Sequence, residues 1–244
     1  FYPIALTDIV EIVKAKGELS TLTTSGRPVD CPVEKNLVMK AYRSLEKEFN
    51  LPPVDIYLRK NIPDGAGLGG GSSDAASVML ILNEMFMLNL SKEELAQRAA
   101  RLGADCAFFI YNTPMMATGI GDILSPTEVQ LKGKTLLLVK PNVSVPTAVA
   151  YSRVTPKPSD IELTNILSQP IAEWKNLLKN DFEPSVFAAH PELADIKQQI
   201  YDLGAVYASM SGSGSSIFGI FESANMAENA KSTFAEIDAY VINL

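Results

Sequence analysis

The spacing of apolar and polar positions changes several times along this 244-residue chain, and each change marks an element. Between Asp8 and Thr23 the pattern is β-rich and broken at Lys16-Gly17, which predicts a hairpin. From Asn36 to Glu48 the apolar residues Leu37, Val38, Ala41 and Leu45 recur at helical spacing, and Val54–Arg59 (VDIYLR) then alternates as a strand should. Ala75 to Phe86 is almost continuously apolar, predicting a buried helix. Ser91-Lys92-Glu93-Glu94 carries the capping-box pattern of a further helix that ends near Gly103. Cys106–Ile110 (CAFFI) reads as a strand, followed by the glycine-punctuated ATGIGDILSP and a strand in KTLLLVKP. The remainder is helix-rich from Pro146 to Leu203. It closes as strand (AVYASM), tight loop (SGSGS), strand (SIFGIF), helix (Ala224 to Ala235) and strand (AYVINL).

Runs of strands and helices without strict βαβ alternation favour an α+β fold over a doubly wound sheet. A crossing between Pro126 and Gly133 divides the chain into expected domains 1–130 and 131–244.

With 47% hydrophobic and 20% charged residues the sequence has the composition of a well-cored globular protein. A net charge of -7, with 21 basic against 28 acidic residues, argues against a nucleic-acid partner, which needs a basic surface to neutralise phosphates. A small-molecule substrate is expected instead. Cys31 and Cys106 lie far apart, without the spacing of a disulfide framework or a zinc site, so a reducing cytoplasm is the expected location. No apolar run approaches the roughly 18 residues of a membrane span, and no signal-peptide layout is found, so no membrane partner is expected. The chain opens on FYPIAL rather than on Met, which reads as the middle of a domain.

The strongest chemical signal is Pro63-Asp64-Gly65-Ala66-Gly67-Leu68-Gly69-Gly70-Gly71-Ser72-Ser73, set between a strand and a helix. Glycines let the backbone take positive φ and approach a ligand closely, so that successive N–H groups converge on an anion. The helix N-terminus and the hydroxyls of Ser72 and Ser73 add to that attraction, and phosphate is the candidate ligand. A Walker A loop is excluded, because no Lys-Ser or Lys-Thr pair follows the last glycine. A dinucleotide fingerprint matches formally at Gly65, Gly67 and Gly70, but the region about 20 residues on reads as helix rather than as an acid-ending strand. A protein-kinase loop lacks its His-Arg-Asp partner. A flexible linker would not sit between such strong strand and helix patterns.

P-x-G-A-G-L-G-G-G-S-S-D-A-A is similar to the second motif of the GHMP kinases. Met210-Ser211-Gly212-Ser213-Gly214-Ser215-Ser216 resembles their third motif, about 140 residues later. The resemblance implies a two-domain fold, the first domain like domain 2 of ribosomal protein S5 and the second ferredoxin-like. It also implies ATP and Mg²⁺, with nucleotide contacts from Pro63 and Gly65 through Ser73 and from Ser211, Gly212, Ser213 and Gly214. Leu102–Phe109 resembles the segment that carries the family's catalytic aspartate, which puts that role on Asp105. By the same likeness Asn36 and Lys60 border the adenine, and Phe1, Thr147, Tyr151 and Asp105 meet the acceptor. Tyr151 is expected to stack on a cytosine ring. The triple glycine before the serines is the form found where the acceptor is the 2-hydroxyl of a diphosphocytidyl-methylerythritol, in isoprenoid precursor synthesis. Mevalonate- or homoserine-type kinases and a non-catalytic nucleotide-binding protein are the alternatives. A monomer or weak homodimer is expected.

The family's first motif, a Lys-x-Asn strand with a following Gly-Tyr-His turn, has no counterpart in this sequence. Both are expected upstream of Phe1, and a chain without them is expected to bind nucleotide weakly or not to turn over. His190 and Trp174 read as a helix-entry residue and a packing residue.

Overall fold

The computed structural model describes residues 1–155, 157 and 161–244. Two compact units form, one from Phe1–Asp64 with Gly69–Glu128, the other from Gly65–Leu68 with Val129–Leu244. The glycine run thus contributes its first four residues to the second unit and the rest to the first.

The first unit contains β1 (Ile9–Lys14), β2 (Thr21–Gly26), α1 (Leu37–Phe49), β3 (Val54–Lys60), α2 (Gly70–Met85), α3 (Lys92–Ala100), α4 (Cys106–Tyr111) and the β4–β5 pair (Met115–Thr118, Ile123–Pro126). β3 alternates cleanly: Val54, Ile56 and Leu58 are buried, while Tyr57 and Arg59 face out. Its inner face packs on α1 through Val38, Ala41 and Leu45 and on α2 through Ala75, Val78, Met79 and Leu82. Asn36 starts α1 by accepting from Val38 N at 2.9 Å, a cap worth about 1 kcal/mol. The capping box opens α3 as expected, with Ser91 and Glu94 bonding each other's backbone N–H.

Two expectations are corrected in this unit. β1 and β2 do not form a hairpin: the sheet order is β1-β3-β2, with β3 antiparallel to β1 and parallel to β2. β3 is the strand with a full apolar face, so each largely exposed neighbour gains by pairing with it rather than with the other. The connection is pinned at the start of β3, where Ala15 N donates to Pro53 O and Val54 N donates to Ser20 Oγ. CAFFI is the helix α4, not a strand. A short apolar run does not distinguish the two, and here α2 and α3 cover Cys106, Ala107 and Ile110 on a helical face.

The second unit is built on a four-stranded antiparallel sheet in the order β7-β8-β6-β9. β6 is Thr135–Lys140 and fully buried. The helices α5 (Thr147–Ser152), α6 (Leu163–Leu167), α7 (Trp174–Leu177), α8 (Glu183–Ala189) and α9 (Pro191–Asp202) follow, then β7 (Tyr207–Met210), β8 (Ile217–Phe221), α10 (Ala224–Lys231) and β9 (Asp238–Asn243). The expected helix to Ala235 stops at Lys231 and tightens into a 3₁₀ turn over Ser232–Phe234. Its core joins Leu137 and Val139 of β6 to Val186, Leu193, Ile200 and Ala227 of the covering helices. Trp174 is buried against Tyr207, ring centroids 5.7 Å apart, and His190 stands at the entry to α9. The helix-rich stretch from Pro146 includes positions 156 and 158–160, which lie outside the described residues.

Candidate active site

In the first unit the glycine run becomes helix earlier than the apolar pattern predicts. α2 begins at Gly70, with Gly69 before it at φ 66°, and no side chain caps its first turn. The N–H groups of that turn are therefore available to an anion, and the helix dipole adds to them. Gly69 must be glycine for its φ and for space, since a Cβ would lie 2.9 Å from the Phe109 ring. Ser72, on the same turn, hydrogen-bonds the Cys106 thiol at the start of α4.

Asp105 immediately precedes that thiol. Its side chain remains open to solvent, and partial desolvation raises its carboxyl pKa above the usual carboxylate value. The turn between β4 and β5 lies alongside: a Cβ on Gly121 would stand 3.9 Å from Asp105 Oδ1. The first unit therefore brings an accessible carboxylate next to the uncapped helix turn. Phe1 is laid on α4, its ring centroid 5.2 Å from that of Phe108 and its carbonyl accepting from Met115 N at 2.9 Å.

Lys60 is buried at the end of β3, and its ammonium is held by Asp74 of α2 at 2.7 Å and by Asp8. Burial opposes its charge, but the hydrogen bonds to the two carboxylates outweigh that and leave its pKa above the ordinary value. Burial also pushes Asp74 up to about 7 against the pull of Lys60, and Asp8 adds to the rise. Asn36, expected beside the adenine, spends its side-chain oxygen on capping α1.

In the second unit Gly65–Leu68 rests on the loop after β7. Ser211 Oγ donates to Gly67 O at 2.8 Å, and Ser216 N donates to Ala66 O at 3.2 Å. Asn180 Nδ2 donates to both Met210 O and Gly212 O at 2.8 Å. Glu183 Oε1 accepts from Met210 N at 2.9 Å and Ser209 Oγ at 3.1 Å. Thr147 Oγ1 lies 3.4 Å from Ser213 Oγ. Tyr151 is 63% exposed, with its ring meeting Phe182 edge-on at 4.9 Å. Sequence reading missed Asn180, Glu183, Asp8 and Asp74. Asp74 was visible inside the glycine motif, but the other three carry no local pattern.

The family model for the GHMP kinases N terminal domain matches residues 36–113, and the model for the GHMP kinases C terminal matches 163–237. The chain belongs to the GHMP kinase family, which makes it an ATP-dependent small-molecule kinase by class. It is 53% identical over 223 residues to 4-diphosphocytidyl-2-C-methyl-D-erythritol kinase of Bacteroides fragilis, covering 91% of this chain and 81% of that one. The same-named enzyme of Porphyromonas gingivalis is 42% identical, covering 96% and 86%. Among solved structures, 4-(cytidine 5'-diphospho)-2C-methyl-D-erythritol kinase superposes with a TM-score of 0.81 at 30% identity, covering 98% of this chain and 87% of that one. Homoserine kinase from Cytophaga hutchinsonii shares the fold at 20% identity, with a TM-score of 0.75 over 97% and 86%. The two-domain GHMP kinase fold expected from the motifs is therefore the observed one.

Proposed function

We propose that the chain transfers the γ-phosphoryl group of ATP to the 2-hydroxyl of 4-diphosphocytidyl-2-C-methyl-D-erythritol, a step in isoprenoid precursor synthesis. The names of relatives at 42–53% identity support the substrate. The observation that carries the chemistry is Asp105 beside the uncapped first turn of α2.

Phosphoryl transfer relies on positioning and charge stabilisation more than on covalent chemistry. The amides of Gly70, Gly71 and Ser72 would hold the transferring phosphate, and Pro63 with Gly65–Leu68 would shape the approach to it. Ser211, Gly212, Ser213 and Gly214 would fix that first half of the loop through Gly67. Asp105 would orient the acceptor hydroxyl and take its proton as the oxygen attacks phosphorus and the bond to ADP breaks. Thr147, Tyr151 and Phe1 are assigned to the acceptor and Asn36 to the adenine. Among the described residues no group of three or more His, Cys, Asp or Glu side chains is placed to hold a metal ion. Mg²⁺ needs only one or two protein oxygens when it arrives with phosphates, which the Ser72 and Ser73 hydroxyls fit, and it would neutralise developing phosphate charge. Residues 1–130 would form the ATP-binding domain and 131–244 the C-terminal domain. We place the enzyme in the cytoplasm as a monomer or weak homodimer, in keeping with an acidic chain whose described residues include no helix long and apolar enough to cross a membrane.

The test is ADP release with ATP, Mg²⁺ and the cytidyl alcohol, against Asp105→Asn. Loss of about 100-fold or more in kcat with ATP binding retained is expected. Nucleotide binding without turnover on this alcohol would redirect the assignment to mevalonate- or homoserine-type acceptors, or to a non-catalytic nucleotide-binding role.

A further inference from the structure

Two consecutive glycines open α2, and no side chain caps them. Glycine loses more backbone freedom than any other residue on entering a helix, so this turn is intrinsically weak. A turn that presents amides to a phosphate must nonetheless be held still, because misplacement of donors is costly to transfer. Something outside the turn has to hold it.

Lys60 lies directly beneath. A Cβ on Gly70 would stand 3.4 Å from Lys60 Nζ and 3.1 Å from Ile62 Cγ2. From there the ammonium reaches Asp74, one helical turn beyond Gly70, and Asp8 at the entry to β1. Asp8 does a second job: its Oδ1 accepts from Asn61 N at 2.6 Å and Ile62 N at 2.8 Å, fixing the direction in which the chain leaves β3. The three side chains are at most 9% exposed. A buried cluster of one cation and two carboxylates is a poor way to gain stability, since apolar residues of similar volume often serve as well or better. Its geometric consequence is what distinguishes it: the exit of β3 and the first two turns of α2 become one rigid piece.

We infer that Lys60, Asp8 and Asp74 are positioning residues for phosphate binding, a clamp that holds the first turn of α2, opened by two glycines, in its donor geometry. This rests on the kinase reading above. It also gives Lys60 a different task from contact with the adenine, since its ammonium is committed to two carboxylates. The hold is a hydrogen bond from Lys60 to an oxygen on residue 74, so it requires an acceptor there rather than a charge.

Asp74→Ala removes that acceptor while leaving a good helix former in place. About a tenfold rise in the KM for ATP is expected, the size of one coupled interaction, with the KM for the acceptor alcohol unchanged. Asp74→Asn keeps an oxygen for Lys60 and should restore the KM for ATP to within about twofold of the parent. Hydrogen exchange of the 69–76 amides should quicken in Asp74→Ala and not in Asp74→Asn, relative to the α3 amides as an internal reference. An unchanged KM for ATP in Asp74→Ala, or a raised one without faster exchange at 69–76, overturns the clamp. Should the parent protein fail to turn over the cytidyl alcohol, the substrate reading falls. The exchange contrast between the two variants still decides the clamp.

Discussion

The hydroxyl of Ser211 donates to the carbonyl oxygen of Gly67 at 2.8 Å, joining positions 144 residues apart. Gly67 sits at φ +69°, and a Cβ there would lie 2.1 Å from Ser211 O, a backbone atom with nowhere to go. Gly67→Ala should therefore raise the KM for ATP well beyond tenfold, because both the left-handed conformation and the packing on Ser211 are lost. Ser211→Ala deletes a single hydrogen bond of about 1 kcal/mol and should cost only a few-fold. ATP titrations of the two variants check the order of the effects. Equal effects would mean that the loop does not depend on this close approach.

Glu183 gathers Met210 N, Ser209 Oγ and the Lys197 ammonium onto one carboxylate, the last at 2.6 Å. Glu183→Ala leaves these donors without that acceptor and should destabilise the protein by about 1–3 kcal/mol. That corresponds to a fall of several degrees in Tm for a chain of this length, read by thermal melting. Asn180→Ala, which frees the carbonyls of Met210 and Gly212 and the Phe182 N–H held by its Oδ1 at 2.9 Å but strands no charged group, should melt closer to the parent while still weakening ATP binding.

Asp74 gives the clamp a pH signature. Its folded pKa, about 7, lies above the ordinary carboxylate value of 3.8, so between these limits the folded state binds the proton more tightly than the unfolded state. The stability contributed by this group is then full below about pH 4 and is lost as pH rises through about 7. Asp74→Asn does not titrate, so its Tm should gain on that of the parent between pH 5.5 and 8. Lys60 from β3 and Asp8 from the entry to β1 are the charged groups acting on Asp74. A difference in Tm that stays flat across this range would show that the folded pKa of Asp74 is not raised into it.

The glycine run, the capping box and the strong amphipathic patterns were legible because each is a local signal that one element carries alone. The β1-β3-β2 order was not, since the Lys16-Gly17 turn looks the same whether the flanking strands meet each other or a third strand. α4 was misread because six apolar residues fit either a buried strand or two turns of helix, and only the covering α2 and α3 decide between them. Within the candidate site, Asp105 and the glycine loops were read from their motifs, whereas Asn180 and Glu183 act through backbone groups some 30 residues away. Such anchors depend on which loop is brought to them by the sheet. A sequence window holding Asn180 contains no trace of Gly212.

Asp105 sets the last expectation, the acid limb of catalysis. A carboxylate that accepts the acceptor's proton must be ionised, so activity falls as pH drops through its pKa. Desolvation raises that pKa, which moves the fall in kcat to a higher pH than an ordinary aspartate would give. Proximity to the working pH is also what makes a carboxylate an effective base, so the same desolvation serves the chemistry. The pH dependence of kcat with saturating ATP, Mg²⁺ and alcohol measures it. Asp105→Glu, if it retains measurable turnover, should shift the acid limb while Ser211→Ala leaves it in place. An acid limb at ordinary carboxylate pH, or one that Asp105→Glu does not move, would take the proton-accepting role away from Asp105 and leave it an orienting one.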